Sequence, residues 1–262
     1  MSCPSSDDFS VSFASCSTFV GRQRDIQILT EAWKVHRIFG IYGICSVGKS
    51  RLAQELIKIV TKDMHHLTYI YVDARGLTTA SALYTHLCIA LGLKPRDDCD
   101  SCSWITHVLR AIKINYDTNF VTLFDNTEDY QDGVVCDSFL QLCTTLAQHC
   151  KNIKIIITST TKAQFRELQG LYFTYELLPL LPLETLELLR FSAPNVDLGE
   201  HRDDIANVSE GLPLLVLMIG SEMSEDEGLL TPADMVELLR SGRLKALSRE
   251  FYPEEDRVGK SI

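Results

Sequence analysis

Gly43-Ile44-Cys45-Ser46-Val47-Gly48-Lys49-Ser50 decides how the rest of the chain is read. It matches the phosphate-binding pattern G-x-x-x-x-G-K-[ST] at every required position. Gly43 and Gly48 permit a tight backbone path along which successive N–H groups form a nest for an anion. Lys49 is expected to reach the β- and γ-phosphates, and the Ser50 hydroxyl to ligate Mg²⁺. Such a loop needs a strand before it and a helix after it. Arg37-Ile38-Phe39-Gly40-Ile41-Tyr42 is a short apolar run of strand type, and Leu52, Ala53, Leu56, Ile57 and Val60 recur at helical spacing. The helix then starts at the phosphates, where its N-terminus favours an anion. A nucleoside triphosphate or diphosphate is the expected ligand.

Working outward, the 262 residues suffice for one large or two modest units with a sizeable core. An apolar share of 45% and a charged share of 23% are those of an ordinary globular chain, and no stretch is long and apolar enough for a membrane span. A net charge of −10 argues against broad binding to nucleic acid or to an anionic membrane. Residues 1–18 lack the basic start and apolar block of a secretory signal and read as a flexible serine-rich lead-in. Nine cysteines invite a metal or disulfide reading. Cys99 and Cys102 have no second pair at zinc-site spacing, and Cys136, Cys143 and Cys150 share a predicted helix face with Phe139, Leu142 and Leu146, as packed core would. The scatter of thiols points to the reducing cytoplasm.

Ahead of the loop, Ile26, Leu29, Trp33 and Val35 suggest an amphipathic helix that follows Phe19-Val20-Gly21-Arg22. After it come strand-like runs at 67–73, 119–125, 153–158 and near 172–178. Helical patterns separate them, one capped by Thr78 or Thr79 and ending at Gly92, one over 103–115, one over 133–150 and a short one before the last strand. Strands alternating with helices predict a parallel five-stranded sheet sandwiched by helices over residues 19–178. From Pro179 the leucines fall at helical spacings without a strand, which predicts a small all-helical unit over 179–250. Gly211-Leu212-Pro213-Leu214 opens one of its helices, with Pro in the tolerated first turn. Residues 251–262 read as a charged tail.

A phosphate loop of this type needs an acid for Mg²⁺ at the end of an apolar strand. Asp125 ends Phe120-Val121-Thr122-Leu123-Phe124 and fits. Glu128 and Asp129 follow as candidates to polarise water.

Val20-Gly21-Arg22, the loop, Phe124-Asp125, Ile157-Thr158-Ser159 and Gly211-Leu212-Pro213-Leu214 occur in an order that resembles the NB-ARC class of STAND P-loop NTPases. That class includes plant disease-resistance proteins and the apoptosome scaffold, and the resemblance covers about residues 19–245. It implies an ADP/ATP-dependent signalling switch, as in innate immunity, whose lobes ADP locks and ATP opens for self-association. It also implies that Val20 and Arg22 lie at the adenine and ribose end, that Ser46, Val47 and Arg51 join Gly43, Gly48, Lys49 and Ser50 around the phosphates, and that Pro213 packs near the adenine.

The sequence departs from that pattern in two places that bear on chemistry. The position after Asp125, usually a second acid, is Asn126, and an amide cannot take a proton from water. The position usually held by an arginine near the γ-phosphate is Thr160. Weak or absent hydrolysis is therefore expected. The alternatives are an active ATPase or phosphotransferase using Glu128, or a nucleotide-independent scaffold that pairs with a full-length relative. No winged-helix unit follows, which favours a fragment, a truncated relative or a component acting in trans.

Overall fold

The computed structural model describes residues 19–95, 101–115, 117–130, 133–162, 170–224 and 230–241. The expected lead-in, the charged tail, Cys99, and the short helix before the last strand lie outside the described residues.

Five parallel strands form one sheet in the order β2-β3-β4-β1-β5. They are β1 (Ile38–Tyr42), β2 (Leu67–Asp73), β3 (Asn119–Asp125), β4 (Ile153–Ser159) and β5 (Tyr172–Glu176). Side chains alternate across each strand, so the two faces collect different residues. Ile38, Ile70, Val72, Phe124, Ile155 and Ile157 face one way, against α3 (Ala80–Ala90), α4 (Ser101–Ile114) and α5 (Gly133–His149). Phe39, Ile41, Val121, Leu123 and Ile156 face the other, against α1 (Gln23–Trp33) and α2 (Lys49–Thr61). The three central strands are apolar on both faces because both faces are covered.

Of the three cysteines expected on one helical face, Cys143 and Cys150 pack as small hydrophobes, whereas Cys136 is half-buried and outside the core cluster. Cys143 and Cys150 lie in the first cluster, and burial pushes the Cys143 thiol far above its usual range. Thr79 caps α3 by accepting the Ala82 N–H at 3.2 Å. Val35, expected on the face of α1, falls beyond the end of that helix and is 67% exposed. The last strand also stops earlier than the sequence suggests, at Glu176; the Leu177 N–H still donates to the Tyr42 carbonyl, and its own carbonyl lies against Gly43.

After β5 the chain is helical. Helices α6 (Pro182–Ser192), α7 (Arg202–Val208), α8 (Pro213–Ser224) and α9 (Pro232–Arg240) enclose a third cluster around Leu189, Ile205, Ile219 and Met235. Proline occupies the first helical position of α6, α8 and α9, where its missing N–H costs nothing. We refer to these four helices as the helical lobe. Among the described residues, no helix is long and apolar enough to cross a membrane.

Candidate phosphate site between the sheet and the helical lobe

The site begins where β1 ends. Residues 43–48 turn back over the end of the sheet, and Lys49 opens α2. Gly43 is required by crowding, since a Cβ there would stand 2.5 Å from the Leu177 carbonyl oxygen. Ser46 and Gly48 have φ of 64° and 96°, the left-handed region that turns backbone N–H groups inward. Lys49 is 8% exposed, and its Nζ donates to the carbonyls of Gly43 at 2.9 Å and Ile44 at 3.0 Å. Burial holds its pKa below the usual lysine value, against the opposing pull of Glu128, Cys45 and Asp125. A phosphate beside this ammonium would supply the counter-charge that the loop carbonyls supply only in part.

Asp125 is buried at the end of β3. Strand β4 lies between β1 and β3, so its last residues stand beside both the loop and the acid. Asp125 Oδ1 accepts the Ser50 hydroxyl at 2.7 Å and the Thr158 hydroxyl, and Oδ2 accepts the Tyr71 hydroxyl at 3.3 Å. Thr158 in turn accepts the Asn126 N–H at 3.0 Å, and its carbonyl accepts the Thr127 hydroxyl at 3.0 Å. A hydroxyl and a carboxylate side by side form an all-oxygen pair of the kind that suits Mg²⁺.

Asn126 turns away from this pair. With φ at 60° it directs its amide Nδ2 to Asp73 Oδ1 at 3.2 Å. Asp73 and Asp125 are in register at the carboxyl ends of the adjacent strands β2 and β3. Burial would raise the Asp73 carboxyl, but bonds from Arg75 and from Asn126 outweigh it and hold it below its usual range. The Arg75 guanidinium reaches Asp73 Oδ2 at 2.6 Å.

A cavity of about 420 Å³ opens over the loop. Its polar lining comes from the loop and the start of α2, Ser46, Val47, Gly48, Lys49, Ser50 and Arg51, and from Asn126, Glu128 and Thr160. Its apolar lining comes from Phe19 and Val20 in the segment before α1, and from Leu180, Leu188, Pro213, Leu214 and Leu217 in the helical lobe or the approach to it. The structure thus gathers Val20, Arg22, Ser46, Val47, Gly48, Lys49, Ser50, Arg51, Glu128 and Pro213 around one space, with Gly43 and Asp125 directly behind the loop. Glu128 faces the cavity from a 3-10 turn, whereas Asp129 is exposed and takes no part in the lining.

Arg22 also lines the cavity, but its charge points elsewhere. Its guanidinium donates to the carbonyls of Leu178 at 2.6 Å and Val47 at 3.0 Å, and lies 3.5 Å from Asp25. Arg51 sits with its guanidinium 5.9 Å from the Phe19 ring centre. The sequence marked Thr158 only as part of the Ile157-Thr158-Ser159 motif, and did not mark Tyr71, Asp73 or Glu184 for the site. Of these, Glu184 carries a local signal, three residues after an N-cap and behind a proline.

A parallel sheet with a glycine-bent loop between β1 and α2, and an acid on β3 bonded to the loop serine, has a large set of structural counterparts. The fold is a P-loop NTPase fold.

No protein-family profile and no curated protein sequence matches the chain. Solved structures do. A Walker-type ATPase of Pyrococcus abyssi superposes with a TM-score of 0.64 at 13% identity, over 93% of this chain and 77% of its own. The ORC2 protein of Aeropyrum pernix, solved in ADPNP and ADP complexes, gives 0.62 at 12% identity over 84% of this chain and 67% of its own. A signal transduction ATPase with numerous domains (STAND) and a tetratricopeptide repeat sensor, from Pyrococcus horikoshii, gives 0.55 at 20% identity over 86% of this chain. This P-loop chain spans about a third of that STAND protein, 32% of its length.

Proposed function

We propose that this chain is a nucleotide-binding module that takes ADP or ATP with Mg²⁺ and works as a STAND-type signalling switch of the NB-ARC kind, with weak or absent hydrolysis. The observation that carries this reading is the composition of the cavity. Its lining joins a desolvated lysine and a backbone nest to an apolar wall, and that wall is largely contributed by the helical lobe. A ligand with a polyphosphate and a flat heterocycle matches both kinds of lining. Because its base would rest on a second lobe, its binding free energy would depend on how the lobes are placed, which is the requirement for a switch.

In this reading Gly43, Ser46, Val47, Gly48 and Lys49 bind the phosphates, while Ser50 and Asp125 hold Mg²⁺. Arg51 flanks the phosphates, and Val20 and Pro213 enclose the adenine. The bound metal would neutralise phosphate charge. Asn126 is engaged with Asp73, which leaves Glu128 as the lining carboxylate able to orient water. The absence of a lining cation at Thr160 supports slow turnover. The ORC1 protein of Aeropyrum pernix was solved in complex with DNA, but the net charge of −10 here favours a protein partner, a second copy or a full-length relative, in the cytoplasm.

The test is thermal unfolding with ADP, ATP and GTP, each with Mg²⁺, for the wild type and Lys49→Ala. Ligand at about a hundred times Kd stabilises by about 2.7 kcal/mol, a rise of roughly 5–10 °C for a chain of this size. The rise is expected with ADP and ATP, and not in the variant. No shift with any nucleotide, or an equal shift in Lys49→Ala, would sink the assignment.

A further inference from the structure

The connection between sheet and helical lobe is fastened at several points. The Leu177 N–H donates to the Tyr42 carbonyl at 2.7 Å, and the Leu180 N–H to the Gly211 carbonyl at 2.8 Å. A Cβ on Gly211 would stand 2.4 Å from the Leu180 carbonyl oxygen, so the turn before α8 lies directly on this connection. At its far end stands Glu184. One carboxylate oxygen accepts the Leu181 N–H at 3.0 Å, and the other accepts the backbone N–H of Arg22 at 2.7 Å.

A glutamate in the first turn of a helix needs only the first of these bonds to serve as a cap. The second joins positions 162 residues apart. It also has a continuation. Arg22 is 6% exposed, and its guanidinium passes from the Leu178 carbonyl of the connection to the Val47 carbonyl of the phosphate loop. Asp25, 3.5 Å from that guanidinium, accepts the Tyr175 hydroxyl of β5 and so holds the arginine in place. An unbroken chain of polar contacts thus runs from α6 through the Arg22 turn to the loop.

We propose that Glu184 is a positioning residue for the nucleotide site, whose carboxylate latches α6 to the Arg22 turn and sets how tightly the helical wall closes over a bound nucleotide. This rests on the nucleotide-binding reading above. Glu184 does not line the cavity, so its loss leaves the phosphate nest and the Ser50–Asp125 pair intact. What changes is the wall. Charge-assisted bonds of this kind shift a two-state balance by about tenfold or more each. Loosening the wall therefore speeds release and leaves entry nearly unchanged.

The experiment uses the full chain with a fluorescent ADP analogue, measuring association and dissociation rates for the wild type, Glu184→Ala and Glu184→Gln. Hydrogen exchange at residues 177–183 and at the Arg22 amide is followed without nucleotide. Glu184→Ala is expected to raise the dissociation rate about tenfold or more, to change association less than about threefold, and to expose the Arg22 and Leu181 amides to exchange. Glu184→Gln keeps one acceptor oxygen and turns an amide N–H toward the other donor, so it falls between. It also serves where the alanine variant fails to fold. Wild-type dissociation in both variants, or in the glutamine variant alone where the alanine variant does not fold, overturns the proposal even if exchange increases, because the contact would then be a cap and no more. A wild-type chain that binds no nucleotide refutes the function proposed above. Exchange at Arg22 then still decides whether the latch exists.

Discussion

Asn126→Asp restores, on paper, the second acid that the resemblance leads one to expect. The structure predicts a different result. The Asn126 amide donates to Asp73 Oδ1 at 3.2 Å, so an aspartate there would bring a second carboxylate against the first. Two like charges about 4 Å apart repel by about 4 kcal/mol at an effective dielectric constant near 20. Asp73 is a third exposed and is paired with Arg75, so solvent and the guanidinium offset much of this. Together with the lost hydrogen bond, a destabilisation of about 1–2 kcal/mol remains at neutral pH.

The sign with pH follows from linkage. In the variant, the pair would hold a proton above the ordinary carboxylate range, by about one unit for each 1.4 kcal/mol of repulsion. Its folded pKa is then raised, so the folded state binds more protons than the unfolded state between about pH 4 and the raised value. Stability is lost as pH rises through that window and is flat above it. Wild-type Asp73 behaves oppositely. Its folded pKa is lowered, and its contribution is lost as pH falls through that lowered value. Urea unfolding at several pH values should show Asn126→Asp about 1–2 kcal/mol below wild type near pH 7, with the gap closing toward pH 4 and closing also when Asp73→Asn is added. An Asn126→Asp chain as stable as wild type at pH 7, with an unchanged pH profile, would refute the pairing.

Two further outcomes are expected. Thr158→Val keeps the shape of a fully buried side chain but removes the donor to Asp125 and the acceptor for the Asn126 N–H; chemical denaturation should show a loss of about 1–3 kcal/mol. In alkali, burial raises the folded-state pKa of Tyr69, Tyr71, Tyr130 and Tyr172, and pushes Tyr175 up to about 12. Only the unfolded chain can ionise these phenols near pH 10, so stability should fall above about that pH, with tyrosinate absorbance rising together with loss of helix signal.

The sheet was legible because its signals are local. Strands 67–73 and 119–125 begin and end as the apolar runs suggest, and the loop is found by pattern because its chemistry fixes spacing. Asp125 was legible for the same reason, as an acid closing a buried strand. Asn126 was legible as a departure but not in its consequence, since nothing near it in sequence announces Asp73. Arg22 was expected at the ribose end of a nucleotide, and the structure places it in the cavity wall with its guanidinium directed at carbonyls. That outcome depends on Leu178 and Val47, which lie far from it along the chain. Local periodicity finds elements and cannot find which distant carbonyl an arginine will choose.

The distribution of the site between lobes bears on what a nucleotide could signal. The loop lies between β1 and α2, and Asp125 and Thr158 lie on β3 and β4, so among the described residues these groups belong to the sheet and not to the helical lobe. Ser50 donates a hydrogen bond to Asp125, whose other oxygen accepts from Tyr71. A hydroxyl that donates its hydrogen to a carboxylate keeps two lone pairs, so Ser50 could ligate a metal without giving up that bond. Thr158 and Tyr71 hold the acid in place beside it. The apolar wall is different, because much of it belongs to α6 and α8. In the proposed switch, a third phosphate would influence the lobes through contacts that leave the loop. Val47 provides one, through its carbonyl bond to Arg22 and from there to Glu184. On this reading diphosphate and triphosphate share the same nest, and what distinguishes them is whether the loop strains or relaxes the Val47–Arg22 bond.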